Sequence, residues 1–198
     1  MLLIVLTSEG NVLNEAQRLN KMFEMGMDIL HLRKPTYSRN EQRALLDEIN
    51  PEYYNKIVIH NSHDLCAEYG LKGIHIKEET RRTFGHKLER YVSGFKGQGH
   101  VVSSSFHKTE DITACSTEFD YIFLSPVFNS ISKIDYPGKG FNVEGMEENI
   151  IALGGIDAKK MEEVKDMGYN GAAVLGSIWD TDDQLKSFAA ILRASQFV

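Results

Sequence analysis

Three segments spaced along the chain share one layout: Met25-Gly26-Met27-Asp28-Ile29, Tyr69-Gly70-Leu71-Lys72-Gly73-Ile74 and Met167-Gly168-Tyr169-Asn170-Gly171. In each, a glycine ends an amphipathic stretch, a two-residue link follows, and an apolar run begins. That is the mark of a helix closed by a left-handed cap and joined by a short loop to a buried strand. Gly26 and Gly70 lie 44 residues apart, enough for two strand–helix units, and Gly70 and Gly168 lie 98 apart, enough for about four more. Extended over the whole chain, the period gives eight units.

The apolar runs agree. Strands are predicted at Leu2–Leu6, Asp28–Leu32, Lys56–Ile59, Gly73–Ile76, His100–Ser103, Tyr121–Leu124, Ile150–Leu153 and Gly171–Leu175. Helical periodicity falls between them at Asn14–Met25, Asn40–Ile49, Asp64–Tyr69, Ala158–Met167 and Gln184–Leu192. Eight parallel strands alternating with helices, joined by right-handed crossovers, define a minimal-length α/β fold, the (β/α)8 TIM barrel. Two layers fit it poorly. Thr80–Gly99 is too polar and glycine-rich for a firm helix, and Gly140–Ile150 has scarcely room for one, so the layer after strands 4 and 6 is expected to be short or irregular.

With 198 residues and no linker or shift in composition, residues 1–198 read as a single domain that buries its core without disulfides or metals. A net charge of -6 argues against a nucleic-acid partner, which needs a broad basic face. The apolar start, Met1–Leu6, lacks a basic n-region and is too short to span a membrane, so it reads as the first strand. Cys66 and Cys115 fall in helical patterns without CxxC spacing and read as reduced packing residues of a cytoplasmic protein. Trp179 and Met161, at helical spacings, read as packing too.

In such a barrel the working residues sit where strands end. The stretch Leu124-Ser-Pro-Val-Phe-Asn-Ser130-Ile-Ser132-Lys133 runs from a strand into hydroxyls and an ammonium closely spaced, the composition of an anion clamp. Gly154-Gly155 and Gly176-Ser177, after strands 7 and 8, are where barrels hold phosphate on backbone amides. Arg33 and Lys133 then suit a second, more highly charged group. His31, His60, His75 and His107 also stand at strand ends. They lack the close helical spacing of a zinc site, and a hydrogen-bonded barrel histidine is the commoner role. Glu78 and Glu79 can bind magnesium, act as a base, or simply begin a helix.

The set His31-Leu-Arg33, Ile59-His60-Asn61, Gly73-Ile-His75, Ser105-Phe-His107, Leu124-Ser-Pro126-Val-Phe, Ser130-Ile-Ser132-Lys133, Leu153-Gly-Gly-Ile156 and Gly171-Ala-Ala-Val-Leu-Gly176 resembles the thiamin phosphate synthase family and its relatives, the thiazole tautomerases. The likeness runs through nearly the whole chain in order. It implies a transferase that joins hydroxymethylpyrimidine diphosphate to hydroxyethylthiazole phosphate and releases pyrophosphate, with magnesium as cofactor, small phosphorylated substrates as partners and a possible homo-oligomer. By the same resemblance Arg33, Lys133 and Ser105 are catalytic. His31, Lys34, His60, Asn61, His107, Ser130, Ser132, Gly154, Gly155, Gly176 and Ser177 bind substrate.

The chain also departs from the family pattern. Gln-x-Arg-x-Lys reads His31-Leu-Arg33-Lys34-Pro35, Asn-Asp reads His60-Asn61, and a later magnesium aspartate aligns with Thr80. Both expected metal carboxylates are therefore replaced. The metal set left by the resemblance is Asn61, Glu78, Glu79 and Thr80, of which the neutral oxygens bind magnesium weakly. Either pyrophosphate brings its own ion, Glu78 or Glu79 substitutes, or activity is poor. Two alternatives accompany the synthase expectation: a thiazole tautomerase-type isomerase, with His31 or His107 moving the proton, and a non-catalytic barrel that binds thiazole phosphate or thiamin phosphate. Pro126 is the synthase residue at a position where the tautomerases carry a histidine.

Overall fold

The computed structural model describes residues 1–129 and 137–198. Eight parallel strands close in sequence order: β1 (Leu2–Leu6), β2 (Ile29–Leu32), β3 (Ile57–Ile59), β4 (Gly73–Ile76), β5 (Val101–Phe106), β6 (Tyr121–Leu124), β7 (Ile150–Leu153) and β8 (Gly171–Val174). Register Leu2↔Gly171 to Val5↔Val174 joins β1 to β8 and leaves no sheet edge. The helices are α1 (Glu15–Glu24), α2 (Arg39–Asp47), α3 (Asp64–Tyr69), α4 (Glu78–Phe84), α5 (Leu88–Lys96), α6 (Thr109–Thr113), α7 (Met161–Asp166), α8 (Gly176–Trp179) and α9 (Gln184–Gln196). Among the described residues no helix is long and apolar enough to cross a membrane.

Side chains alternate across each strand, so one set faces the helices and the other fills the barrel. Outward Leu3, Val5, Leu30, Leu32, Ile59 and Ile76 pack with Leu19, Met22 and Phe23 of α1, Leu46 of α2 and Phe188 of α9. Inward Ile4, Leu6, Ile29, Val58, Tyr121, Phe123, Ile151 and Ala173 form a separate cluster. Both faces being buried explains why the strands read as unbroken apolar runs rather than alternating ones. Helix starts are locally specified too. Ser38 and Glu41 make a capping box at α2, with Ser38 N–H donating to Glu41 Oε2 at 2.7 Å. Asp183 caps α9 by accepting from Lys186 N–H at 3.0 Å.

The structure differs from the sequence expectation in a few places. β5 continues past Ser103 to Phe106, because its serines are satisfied inside the barrel wall: Ser104 Oγ donates to Ile76 O at 2.7 Å, and Ser103 and Ser105 meet His75. The layer after β4 is irregular by interruption rather than by loss of helix, since α4 and α5 flank a 3-10 turn at Gly85–Lys87. The helical pattern expected around Cys115 is the short α6, and Cys115 lies just past its end rather than within it; Cys66 sits in α3, and both thiols are free. Among the described residues no helix stands between β6 and β7. Met161 is buried, and Trp179 donates its indole N–H to Leu6 O at 2.7 Å.

Candidate functional site

At the ends of the strands the barrel opens into a cavity of about 400 Å³. Its wall brings together Arg33, His60, His75, Lys77, Glu78, Glu79, Ser105, His107, Gly154, Gly155, Gly176 and Ser177. Asn61 and Thr80 line a neighbouring depression with Ser62, His63 and Asp64, and Lys77, His60 and His75 border both spaces. Ser130, Ser132 and Lys133 lie outside the described residues.

Two expected site residues stand elsewhere. Lys34 points outward from β2's end and is fully buried; its ammonium pairs with Glu15 of α1 and donates to Gly10 O at 2.6 Å. It is a structural ion pair and not a lining residue, a correction that the alternation of the strand explains: Arg33 faces the cavity and Lys34 faces away. His31 does face inward but one layer deeper, completely buried below the cavity floor, so it reaches a ligand only through its neighbours.

Arg33 is held at both ends. Thr7 clips its backbone, accepting from Arg33 N–H at 2.8 Å and donating to Arg33 O at 2.9 Å. Its guanidinium donates to Glu9 Oε1 at 2.6 Å. Opposite, the loops after β6 and β7 are tied by Val127 N–H to Leu153 O and Phe128 N–H to Gly154 O, each 3.0 Å. Gly155 has φ +66°, and a Cβ there would lie 2.1 Å from Asn129 O. Only glycine meets both demands. Gly176 and Ser177 open α8, where amide N–H groups have no intrahelical acceptor, and Ser177 Oγ is buried without a partner. This side of the cavity therefore offers uncharged donors to an anion. Gly155→Ala is expected to force the two loops apart, weakening affinity for a phosphate ester by roughly a hundredfold and costing about 1–3 kcal/mol of stability. Calorimetry with a phosphate ester and thermal unfolding read the two effects.

A histidine cluster forms the cavity floor, with His60 and His75, and the layer beneath it, with His31. Tyr121 Oη lies 2.6 Å from His31 Nε2, and His31 Nδ1 lies 2.8 Å from His60 Nε2. His75 bridges Ser103 Oγ at 2.8 Å and Ser105 Oγ at 2.7 Å. Burial pushes the His31 imidazole down to about 3. Burial first, and then mutual repulsion with nearby cations, holds His60 and His75 well below the ordinary range. All three are neutral at pH 7, so each carries one N–H, and the His31 bonds run in one direction along the row, from Tyr121 to His60 or the reverse. In both cases His60 Nδ1 is buried without a partner. The three rings bring one nitrogen each within 4.8 Å of one another. His60 and His75 nonetheless stack nearly parallel, 4.2 Å apart at 24°, so their in-plane lone pairs do not converge on one ion. The arrangement is a hydrogen-bonded network.

The magnesium set fails a similar test. Asn61 and Thr80 face the depression while Glu78 and Glu79 face the cavity. Asn61 Oδ1 accepts from Lys77 Nζ at 2.9 Å, and its Nδ2 donates to Lys34 O at 3.3 Å. Glu78 Oε1 pairs with Arg82, and its Oε2 is 3.4 Å from His107 Nε2. An ammonium in the middle of the set opposes a hard divalent cation, and among the described residues no pair of carboxylates converges beside Asn61. These residues do not fit magnesium.

Residues 2–178 match the family model described as thiamine monophosphate synthase. The chain belongs to the thiamine monophosphate synthase family. The chain is 24% identical over 191 residues to the thiamine-phosphate synthase of Caldicellulosiruptor saccharolyticus, covering 90% of this chain and 83% of that one. It is 23% identical over 188 residues to that of Shouchella clausii, covering 90% and 87%. Among solved structures, the thiamine phosphate pyrophosphorylase from Bacteroides thetaiotaomicron superimposes with TM-score 0.76 at 26% identity, over 100% of this chain and 98% of that one. The barrel of a Pyrococcus furiosus thiamine phosphate pyrophosphorylase has the same TM-score at 18% identity over 98% and 95%, a likeness of fold.

Within this family frame, the strand pattern carried more than the motifs did. Lys77, Ser103, Tyr121 and Phe123 complete the site; Lys77 is one of the polar groups that the sequence places at the end of strand 4, and the other three carry no sequence-based role. Each sits an even number of positions from an assigned residue or an inward partner on its own strand: Lys77 from His75, Ser103 from Ser105, Tyr121 from Phe123. Period-two counting finds them.

Proposed function

We propose that the protein is a transferase of the thiamin phosphate synthase type, joining hydroxymethylpyrimidine diphosphate to hydroxyethylthiazole phosphate in the cytoplasm. The observation that carries this reading is a single cavity with two different anion-holding sides. Arg33 and Lys77 supply cations on one, and the Gly154-Gly155 and Gly176-Ser177 turns supply neutral donors on the other. A diphosphate leaving group suits the first and a phosphate monoester suits the second.

The reaction needs no nucleophilic side chain. The C–O bond to the diphosphate breaks with its electron pair going to pyrophosphate, and the thiazole nitrogen lone pair forms the new C–N bond to the resulting pyrimidine methylene cation. Catalysis then comes from groups that stabilise the departing charge, Arg33 and Ser105 among the described residues and, by the family resemblance, Ser130, Ser132 and Lys133 outside them. Ser105, bonded to His75, is held in place to donate or accept at the cavity floor. His60 and His75, neutral and stacked on each other, keep this end of the cavity uncharged. Arg33→Ala is expected to lower kcat by roughly 10²–10³ with the fold intact. Steady-state release of pyrophosphate measures it, and an unchanged rate would count against the cavity as the active site.

A further inference from the structure

We infer that Lys77 takes the place of a divalent ion in this cavity, so that a diphosphate group is held by Arg33 and Lys77 with no metal bound. The identity of the diphosphate rests on the transferase reading; the mode of binding rests on the side chains themselves.

Lys77 follows β4 two residues after His75 and so projects on the barrel's inner side, at the border between the main cavity and the depression containing Asn61 and Thr80. It is half-buried, and its ammonium is aimed rather than free. Asn61 Oδ1 accepts from it at 2.9 Å. Asn61 is itself fixed by its Nδ2 donating to Lys34 O at 3.3 Å, and the ion pair with Glu15 anchors Lys34. The amide therefore turns its oxygen to an ammonium that is already part of the protein. Of the ammonium's three N–H donors, Asn61 takes one and two remain for phosphate oxygens.

The carboxylates that face Lys77 do not restore a metal site. Glu79 attracts it electrostatically, Glu78 is shared between Arg82 and the neighbourhood of His107, and Glu9 is bonded to Arg33. Arg33 supplies the planar, bidentate grip and Lys77 the point charge, which together can neutralise part of a diphosphate as a metal would. A metal would have to enter against both cations.

The test uses the full chain, inorganic pyrophosphate and calorimetry, with EDTA or with excess magnesium. Pyrophosphate is expected to bind in EDTA, and excess magnesium is expected not to strengthen the binding, because it takes up pyrophosphate in solution and the site has no place for the metal. Lys77→Met, which keeps most of the aliphatic stem, is expected to weaken metal-free binding at least about tenfold, while Lys77→Arg keeps most of it. Thermal unfolding checks that both variants remain folded. Binding by the wild type that requires magnesium, no binding in either condition, or undiminished binding by Lys77→Met would each overturn the inference. Metal-free binding that depends on Lys77, without formation of thiamin phosphate from the two substrates, would refute the transferase reading and leave this one standing. Magnesium-dependent binding with product formation would do the reverse.

Discussion

Lys34→Ala is expected to destabilise the protein by about 3–5 kcal/mol, the cost of leaving one member of a buried ion pair without its partner. The Lys34 ammonium is completely buried between α1 and the barrel, paired with Glu15 and bonded to Gly10 O at 2.6 Å. Glu15 is nearly as buried, and its Oε1 accepts from Ser8 N–H at 3.1 Å. Burial already raises the Glu15 carboxyl above its ordinary range against the pull of Lys34, and without the ammonium nothing of similar strength opposes that rise. The two residues also fix the loop between β1 and α1. For a chain of this size such a loss lowers Tm by roughly 6–20 °C. Urea and thermal unfolding measure it. Replacing both partners by apolar residues of similar volume, Glu15→Leu with Lys34→Met, should recover most of the stability. If Lys34→Ala instead kept its stability and lost affinity for phosphorylated ligands, the residue would be part of the site after all.

Mild acid is expected to unfold the protein unusually early. His31 titrates at about 3 in the folded protein and near its ordinary 6.5 when unfolded, and His60 and His75 are shifted in the same direction by burial. Their folded pKa values are depressed, so below about pH 6.5 the unfolded chain takes up protons that the folded one refuses. Stability conferred by the neutral cluster is thus complete above that pH and is lost as pH falls through it. Each histidine contributes a slope of about 1.4 kcal/mol per pH unit within its window, and three acting together on the order of 4. Urea midpoints at pH 7.5, 6 and 5 should fall steeply. His31→Gln, whose amide can bridge Tyr121 and His60 as both donor and acceptor, should remove one histidine's share of the slope. Stability that stays level to pH 5 would mean that the cluster takes up protons without unfolding.

Much of the barrel is legible in the sequence. β1, β4, β6 and β7 fall on their predicted bounds, because a strand buried on both faces writes itself as a short unbroken apolar run. The glycine layouts are equally faithful: Gly26, Gly70 and Gly168 all have positive φ. What a residue list cannot convey is depth and side. His31 and Arg33 share the inner face of one strand, but two residues move a side chain by about 6.6 Å along the strand, enough to separate a sealed core from an open rim. Lys34, adjacent to Arg33 and equally cationic, turns to the opposite face and into α1. Ser104 and Ser105 read as loop because hydroxyls are rare inside a wall, and only the acceptors supplied by Ile76 and His75 make them strand residues. Lys77 shows the converse: its place at the rim follows from counting two past His75, but its bond to Asn61 joins β3 to β4 and appears only when the strands are paired.

The central claim is that this cavity joins the two substrates. The most direct measurement incubates the full chain with hydroxymethylpyrimidine diphosphate and hydroxyethylthiazole phosphate, with and without magnesium, and quantifies thiamin phosphate and pyrophosphate together. Equal amounts of both products, formed only when both substrates are present and lost with Arg33→Ala, are the predicted result. Absence of thiamin phosphate at every magnesium concentration would contradict it.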